Sequence, residues 1–208
     1  ALGLVPRFKG ELVHDGWSAY AAYSQGGHAL CNAHLLRELT FLHEQYQQTW
    51  AEPMKALLLK AKAAVEAARQ QGATALDGAP IDALTGEYRA LVEVGFAANP
   101  PPATRPGKRR VAESPARHLL KRLDRDRHAV LHFLHNFAVP FDNNLAERDL
   151  RMMKVKQKIS GCFRTLPGAS RFCTVRSYLS TARKHGVSIL SALVDAFAGT
   201  PFTPALFH

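Results

Sequence analysis

Strand-like sequence is confined to the first 31 residues of this chain, and almost everything after them carries helical spacing. Gly10-Glu-Leu-Val-His-Asp15-Gly16 reads as a short strand ending in an acid and a turn. Gly27-His-Ala-Leu-Cys31 reads as a second strand, and residues 17–23 between them have room for one or two helical turns. The pattern therefore predicts two short strands followed by helices nearly throughout.

Asn32 is placed to cap a long helix whose apolar stripe is Leu35, Leu36, Leu39, Leu42 and Tyr46. Residues 53–71, rich in Ala, Leu and Lys, predict a second helix. The segment 72–80 breaks it, and residues 81–98 predict a third helix despite Gly86 and Gly95. Residues 99–110 form a proline-rich basic loop ending in Lys108, Arg109 and Arg110, a composition more typical of a solvated linker than of a binding site. Ser114-Pro115 is a cap followed by a first-turn proline, and it predicts a helix to about residue 135. Its core face would be Leu119, Leu120, Leu123, Val130, Leu131 and Leu134. Farther on, residues 163–170 read as a turn-rich connection and residues 171–185 as a helix stopped by Gly186. Ser188 is placed to cap a last helix to Phe197.

The chemistry concentrates in Pro140-Phe-Asp-Asn-Asn-Leu-Ala-Glu147-Arg-Asp-Leu-Arg151 and its continuation to Gly161. Asp142, Asn143 and Asn144 all suit a helix start. Ala146, Leu150 and Met153 then fall on one helical face, while Glu147, Arg151, Lys154 and Lys158 make a second stripe. One acid followed by three cations would suit a carboxylate holding a metal at a phosphodiester, with the cations on the flanking backbone. The structural alternative is a capping box of Asn144 with Glu147 and an ordinary Glu147–Arg151 pair.

The 208 residues are enough for one domain, or for a domain with a sizeable insertion. Twenty-seven Lys and Arg against 17 Asp and Glu leave a net charge of +10, which favours a polyanionic partner. No apolar run reaches the length of a membrane span, so nucleic acid is the better partner. Three scattered cysteines, Cys31, Cys162 and Cys173, make no disulfide framework.

Asp15 falls where a strand leaves its sheet, the edge at which open α/β sheets face ligands; alternatively it is a turn residue of an Asp-Gly pair. A strand-end Asp15 and a helix-start Glu147 in a basic chain suggest a Mg2+ site, since Mg2+ takes hard oxygen ligands and keeps positions open for phosphate and water. Two such ions about 4 Å apart would stabilise both the entering and the leaving oxygen of an in-line displacement. Cys31-Asn-Ala-His34 has a zinc-like spacing, but a closed zinc site needs four ligands. The candidate complements, His132 with His135 or Cys162 with Cys173, match no familiar arrangement. Arg148, Arg151, Lys154, Lys156, Lys158 and Arg164 are the cations best placed to contact DNA phosphates.

Four elements occur together and in order: Asp15-Gly-Trp-Ser-Ala-Tyr20, Cys31-Asn-Ala-His34 with Arg37, Asn143-Asn-Leu-Ala-Glu-Arg148, and Ser177-Tyr-Leu-Ser-Thr-Ala-Arg-Lys-His-Gly186. Their combination resembles the bacterial insertion-sequence-66 transposases over nearly the whole chain. The resemblance implies the RNase H-like α/β fold of DDE transposases and Mg2+-dependent DNA cleavage and strand transfer, with Mn2+ as a substitute ion. It matches Asp15 to the second catalytic acid and Glu147 to the third, with Cys31, His34, Asn143 and Asn144 as supporting neighbours of the metal ligands. It also implies a cytoplasmic, nucleoid-associated protein that acts as a homo-oligomer on element ends and target DNA.

The family's first acid belongs on the sheet's first strand, which should precede residue 1. The expectation is thus the carboxy-terminal portion of such an enzyme, an α/β remnant that is predominantly helical. Residues 1–50 would be a partial catalytic core, 51–139 a helical insertion with the basic loop at 99–113, and 140–208 the carboxy-terminal helices of the core. The alternatives are a non-enzymatic basic helical DNA-binding or assembly module, an inactive relic, and a zinc-stabilised structural protein.

Overall fold

In the computed structural model, which describes residues 8–23, 26–102 and 112–204, the two strands are short and parallel. Strand β1 (Leu12–His14) pairs with β2 (His28–Leu30) in a register that sets Leu12 opposite His28 and His14 opposite Leu30. Flanking bonds from Leu12 N–H to Gly27 O and from Cys31 N–H to His14 O, both 2.8 Å, extend the ladder at each end. A 3-10 turn (Ser18–Ala22) lies in the connection between the strands. Gly16 has φ +87°, a backbone state that a side chain would strain, so the turn after Asp15 requires glycine.

Helices α1 (Asn32–Tyr46), α2 (Ala51–Gln70), α3 (Gly78–Ala98), α4 (Pro115–Arg125) and α5 (Arg127–His135) follow. Contacts among Cα atoms divide the chain into residues 1–144 and residues 145–208. In the first unit one continuous apolar cluster runs from Ala29 and Leu30 through Leu39, Met54, Leu58, Tyr88, Leu120 and Leu134 to Val139. The middle helices therefore share a core with β2 and α1, with no break near residue 50. One fully buried polar side chain, Tyr88, bonds across this unit. The Tyr88 hydroxyl donates to Leu123 O at 2.9 Å, and burial pushes that phenol far above its ordinary pKa. Gly95 lies where Trp50 and Leu120 press on α3, too close to leave room for a Cβ.

Several boundaries differ from the sequence expectation. The helix expected from residue 114 to 135 is two helices, because Asp126 leaves helical geometry (φ −100°, ψ 19°). The break lets α4 pack on α3 while α5 packs on β2. Its start is as expected, with Ser114 Oγ accepting from Arg117 N–H. Asn32 does not cap α1. Cys31 holds the cap position, and the buried Asn32 amide instead donates to Val130 O, 98 positions away, at 3.1 Å. Tyr46 of the expected α1 stripe is exposed. Helix α3 begins before residue 81, at Gly78, which puts Pro80 in its first turn.

The second unit contains α6 (Asn144–Ser160, whose first residue closes the first unit), α7 (Leu166–Lys184) and α8 (Ile189–Phe197). Helix α7 starts five residues before the expected position. Thr165 caps it by accepting from Gly168 N–H at 3.1 Å, and its proline sits in the first turn. His185 and Gly186 (φ +75°) close it as expected. Ser188 stands at the cap position of α8, although its side chain makes no capping bond. Lys108, Arg109 and Arg110 of the expected basic loop lie outside the described residues. No described helix is long and apolar enough to cross a membrane.

Candidate functional site

The first element of the site is the turn that ends β1. Asp15 is exposed, and its Oδ1 accepts the Trp17 N–H at 3.0 Å, which fixes the carboxylate at the mouth of the turn. Among the described residues no cation pairs with it. Behind the turn two imidazoles form a chain. His14 Nδ1 accepts from Gly16 N–H at 3.0 Å, which leaves His14 Nε2 to donate to His28 Nδ1 at 3.1 Å. His28 Nε2 then donates to Tyr23 O at 2.7 Å. One neutral tautomer of each ring satisfies all three bonds. Burial, with His28 as the next cause, pushes the His14 pKa below its ordinary value and agrees with this assignment. His14 and His28 were not among the sequence candidates. The clue was their position on facing strands, which appears only once the register is known.

The second element is the segment entering α6. The buried Cys31 Sγ accepts from Asn143 N–H at 3.2 Å, and Asn32 N–H donates to Phe141 O at 3.0 Å. Asp142 Oδ1 accepts from Asn144 N–H at 3.0 Å. Cys31 and Asn32 thus pin the chain at Phe141 and Asn143, just before the first unit ends at Asn144. Half-buried His34 sits in the first turn of α1, its N–H donating to Cys31 O. His132, one of the zinc complements considered, is engaged otherwise: Nδ1 lies 3.3 Å from His28 O and Nε2 lies 3.6 Å from Glu11. Cys162 and Cys173 are both exposed free thiols, and Cys173 contacts Met153.

In the second unit Glu147 is half-buried in the first turn of α6. Arg148, Arg151, Lys154 and Lys158 are exposed along the same helix, and Lys156 reaches Ser160 Oγ at 3.2 Å. Arg164 is exposed in the connection to α7. The apolar stripe expected on α6 is not a buried face, since Leu150 is 60% exposed. Facing α6 across a cleft of about 390 Å3, α7 contributes Arg176, Arg183 and Lys184 beside Arg148. Asp149 accepts from Ser180 and from Lys184, and the Lys184 ammonium, then Ser180, holds its carboxyl below the usual carboxylate range. Arg176 and Arg183, seven positions apart on one face of α7, are additions to the sequence candidates.

A family model described as "Transposase IS66 family" matches residues 2–171, most of the chain and both candidate acids. The chain belongs to the IS66 transposase family. Neither the curated proteins nor the solved structures include a match. Membership supports a transposase-type function in the movement of an insertion sequence and implies an interaction with DNA. The strongly basic composition fits that interaction.

Proposed function

We propose that the chain performs Mg2+-dependent phosphodiester cleavage and strand transfer as a DDE-type transposase with an RNase H-like core. The family match spanning Asp15 and Glu147 is the observation that carries the reading. Support comes from Asp15 itself, an exposed carboxylate at the carboxyl end of a strand in a parallel pair. Its hard oxygen donors suit Mg2+ or Mn2+. Asp15 and Glu147 would hold the ion, which when bound polarises the phosphate and eases deprotonation of the attacking oxygen.

Water attacks phosphorus at the element's end, and the P–O3′ bond breaks to free a 3′-hydroxyl. That hydroxyl attacks a target phosphodiester, forming a new P–O bond and releasing the target's own 3′ oxygen. Arg148, Arg151, Lys154, Lys156, Lys158 and Arg164 neutralise the flanking phosphates and hold the backbone in line, so positioning and charge carry the rate. The protein works as a homo-oligomer that brings the element ends together.

The test is Glu147→Gln, with Asp15→Asn in parallel, in a strand-transfer assay with Mg2+. Each should lower transfer at least ~100-fold while leaving DNA affinity nearly unchanged. Wild-type transfer by Glu147→Gln would remove the assignment. DNA binding that falls steeply with salt, needs no Mg2+ and ignores both substitutions would make the chain a binding module instead.

A further inference from the structure

The Asp15 turn also builds a cleft of about 560 Å3, lined by Trp17, His14, His28, Arg125, Asp126 and Ala129. Trp17 is 65% exposed, a large apolar surface for water to cover. The other tryptophan, Trp50, is 2% exposed and has an indole N–H partner in Gln48. Tyr20 meets Trp17 only in an edge-to-face arrangement, with ring centroids 6.0 Å apart and planes at 83°. The Trp17 backbone N–H is bonded to the Asp15 carboxylate, which places the residue bearing the indole two positions from that acid. Arg125 rises beside the cleft with its side chain 73% exposed, held by a bidentate bond to Asp126.

We infer that this cleft is a stacking subsite for an unpaired nucleobase next to the phosphate that Asp15 serves. The inference rests on the proposed role of Asp15 and extends it to a second contact. An indole face is indifferent to which base it meets, and base–aromatic stacking is the usual way proteins hold single-stranded DNA without reading its sequence. A paired base has both faces covered by its neighbours, so the subsite selects a nucleotide that has left the duplex. The Arg125 guanidinium is already engaged by Asp126, so stacking on the indole carries the subsite. Trp17 is thus a positioning residue that fixes which phosphate reaches the acid.

Trp17 and Trp50 are the chain's only tryptophans, so intrinsic fluorescence reads the subsite directly. Titration of the full chain with single-stranded oligo(dT), without metal, should quench the exposed indole. An abasic oligonucleotide of equal length and charge should bind about 5- to 150-fold more weakly and quench little. Trp17→Ala should lose affinity for oligo(dT) over the same range, and Trp17→Tyr should recover most of it. Since Trp17 is exposed, unchanged circular dichroism will separate lost stacking from lost fold. Equal binding of oligo(dT) and the abasic strand, or wild-type affinity in Trp17→Ala, overturns the inference. Because no metal or strand transfer is involved, that failure would leave the Glu147→Gln test standing on its own.

Discussion

Residues 1–144 and residues 145–208 are both helical, yet they are held together by different physics. The first unit buries a continuous apolar cluster of leucines, aromatics and Met54. In the second, among the described residues, only Ala182 and Ala192 are buried hydrophobics. Polar links do most of the cross-bracing there: Tyr178 donates to Ala192 O at 2.8 Å and accepts from Phe202 N–H, and Asp149 ties α6 to α7 through Ser180 and Lys184. Part-buried bonds and a surface ion pair of this kind contribute only modest net stability, because water competes for the same groups. Apolar burial is the larger stabilising term. The first unit is therefore a scaffold stable by its own packing, whereas the second presents cations and bare apolar side chains.

The largest expected effect that could break this comparison is in the first core. Leu120→Ala removes a fully buried side chain and should cost about 2–5 kcal/mol. It is to be measured by urea unfolding followed through Trp50. A loss under ~1 kcal/mol would show that the core is looser than its burial indicates.

Two glycines of α3 sharpen the same point. A Cβ at Gly95 would lie 2.3 Å from Leu120 Cδ2 and 3.1 Å from Trp50 Cδ2, whereas a Cβ at Gly86 meets nothing within 4 Å. For Gly95→Ala the overpacking of about 1–3 kcal/mol outweighs the helical gain of ~1 kcal/mol, so the variant should be destabilised. Gly86→Ala keeps only the gain and should be stabilised by up to ~1 kcal/mol. Equal shifts in the two midpoints would contradict tight packing at α3.

The smallest effect belongs to the second unit. Leu190, Val194 and Phe197 form a stripe along α8, and Phe197 is 91% exposed. Phe197→Ser should change unfolding stability by no more than ~0.5 kcal/mol. A loss above ~2 kcal/mol would mean that this side chain is buried in solution, and the contrast between the units would fail.

How much was legible follows from how local each cause is. The interiors of α1, α2 and α3, the Ser114 cap and the core face Leu119 to Leu134 all follow from spacing and composition within a few residues. The start of α7 was missed because Thr165-Leu-Pro-Gly carries turn residues that are equally at home in a capped first turn. The break at Asp126 was missed because α4 and α5 answer to different partners, α3 and β2.

By itself, then, the sequence determined the helical class, the basic charge, the two candidate acids and the family, since each rests on neighbouring residues or on motifs read in order. Tertiary structure decided what Cys31, Asn32, His14 and His28 do. Cys31 and Asn32 bind backbone groups about a hundred positions away, and the two histidines meet only through strand register. The physical reason is that a hydrogen bond depends on distance in space, and linear order does not specify that distance until the core has closed.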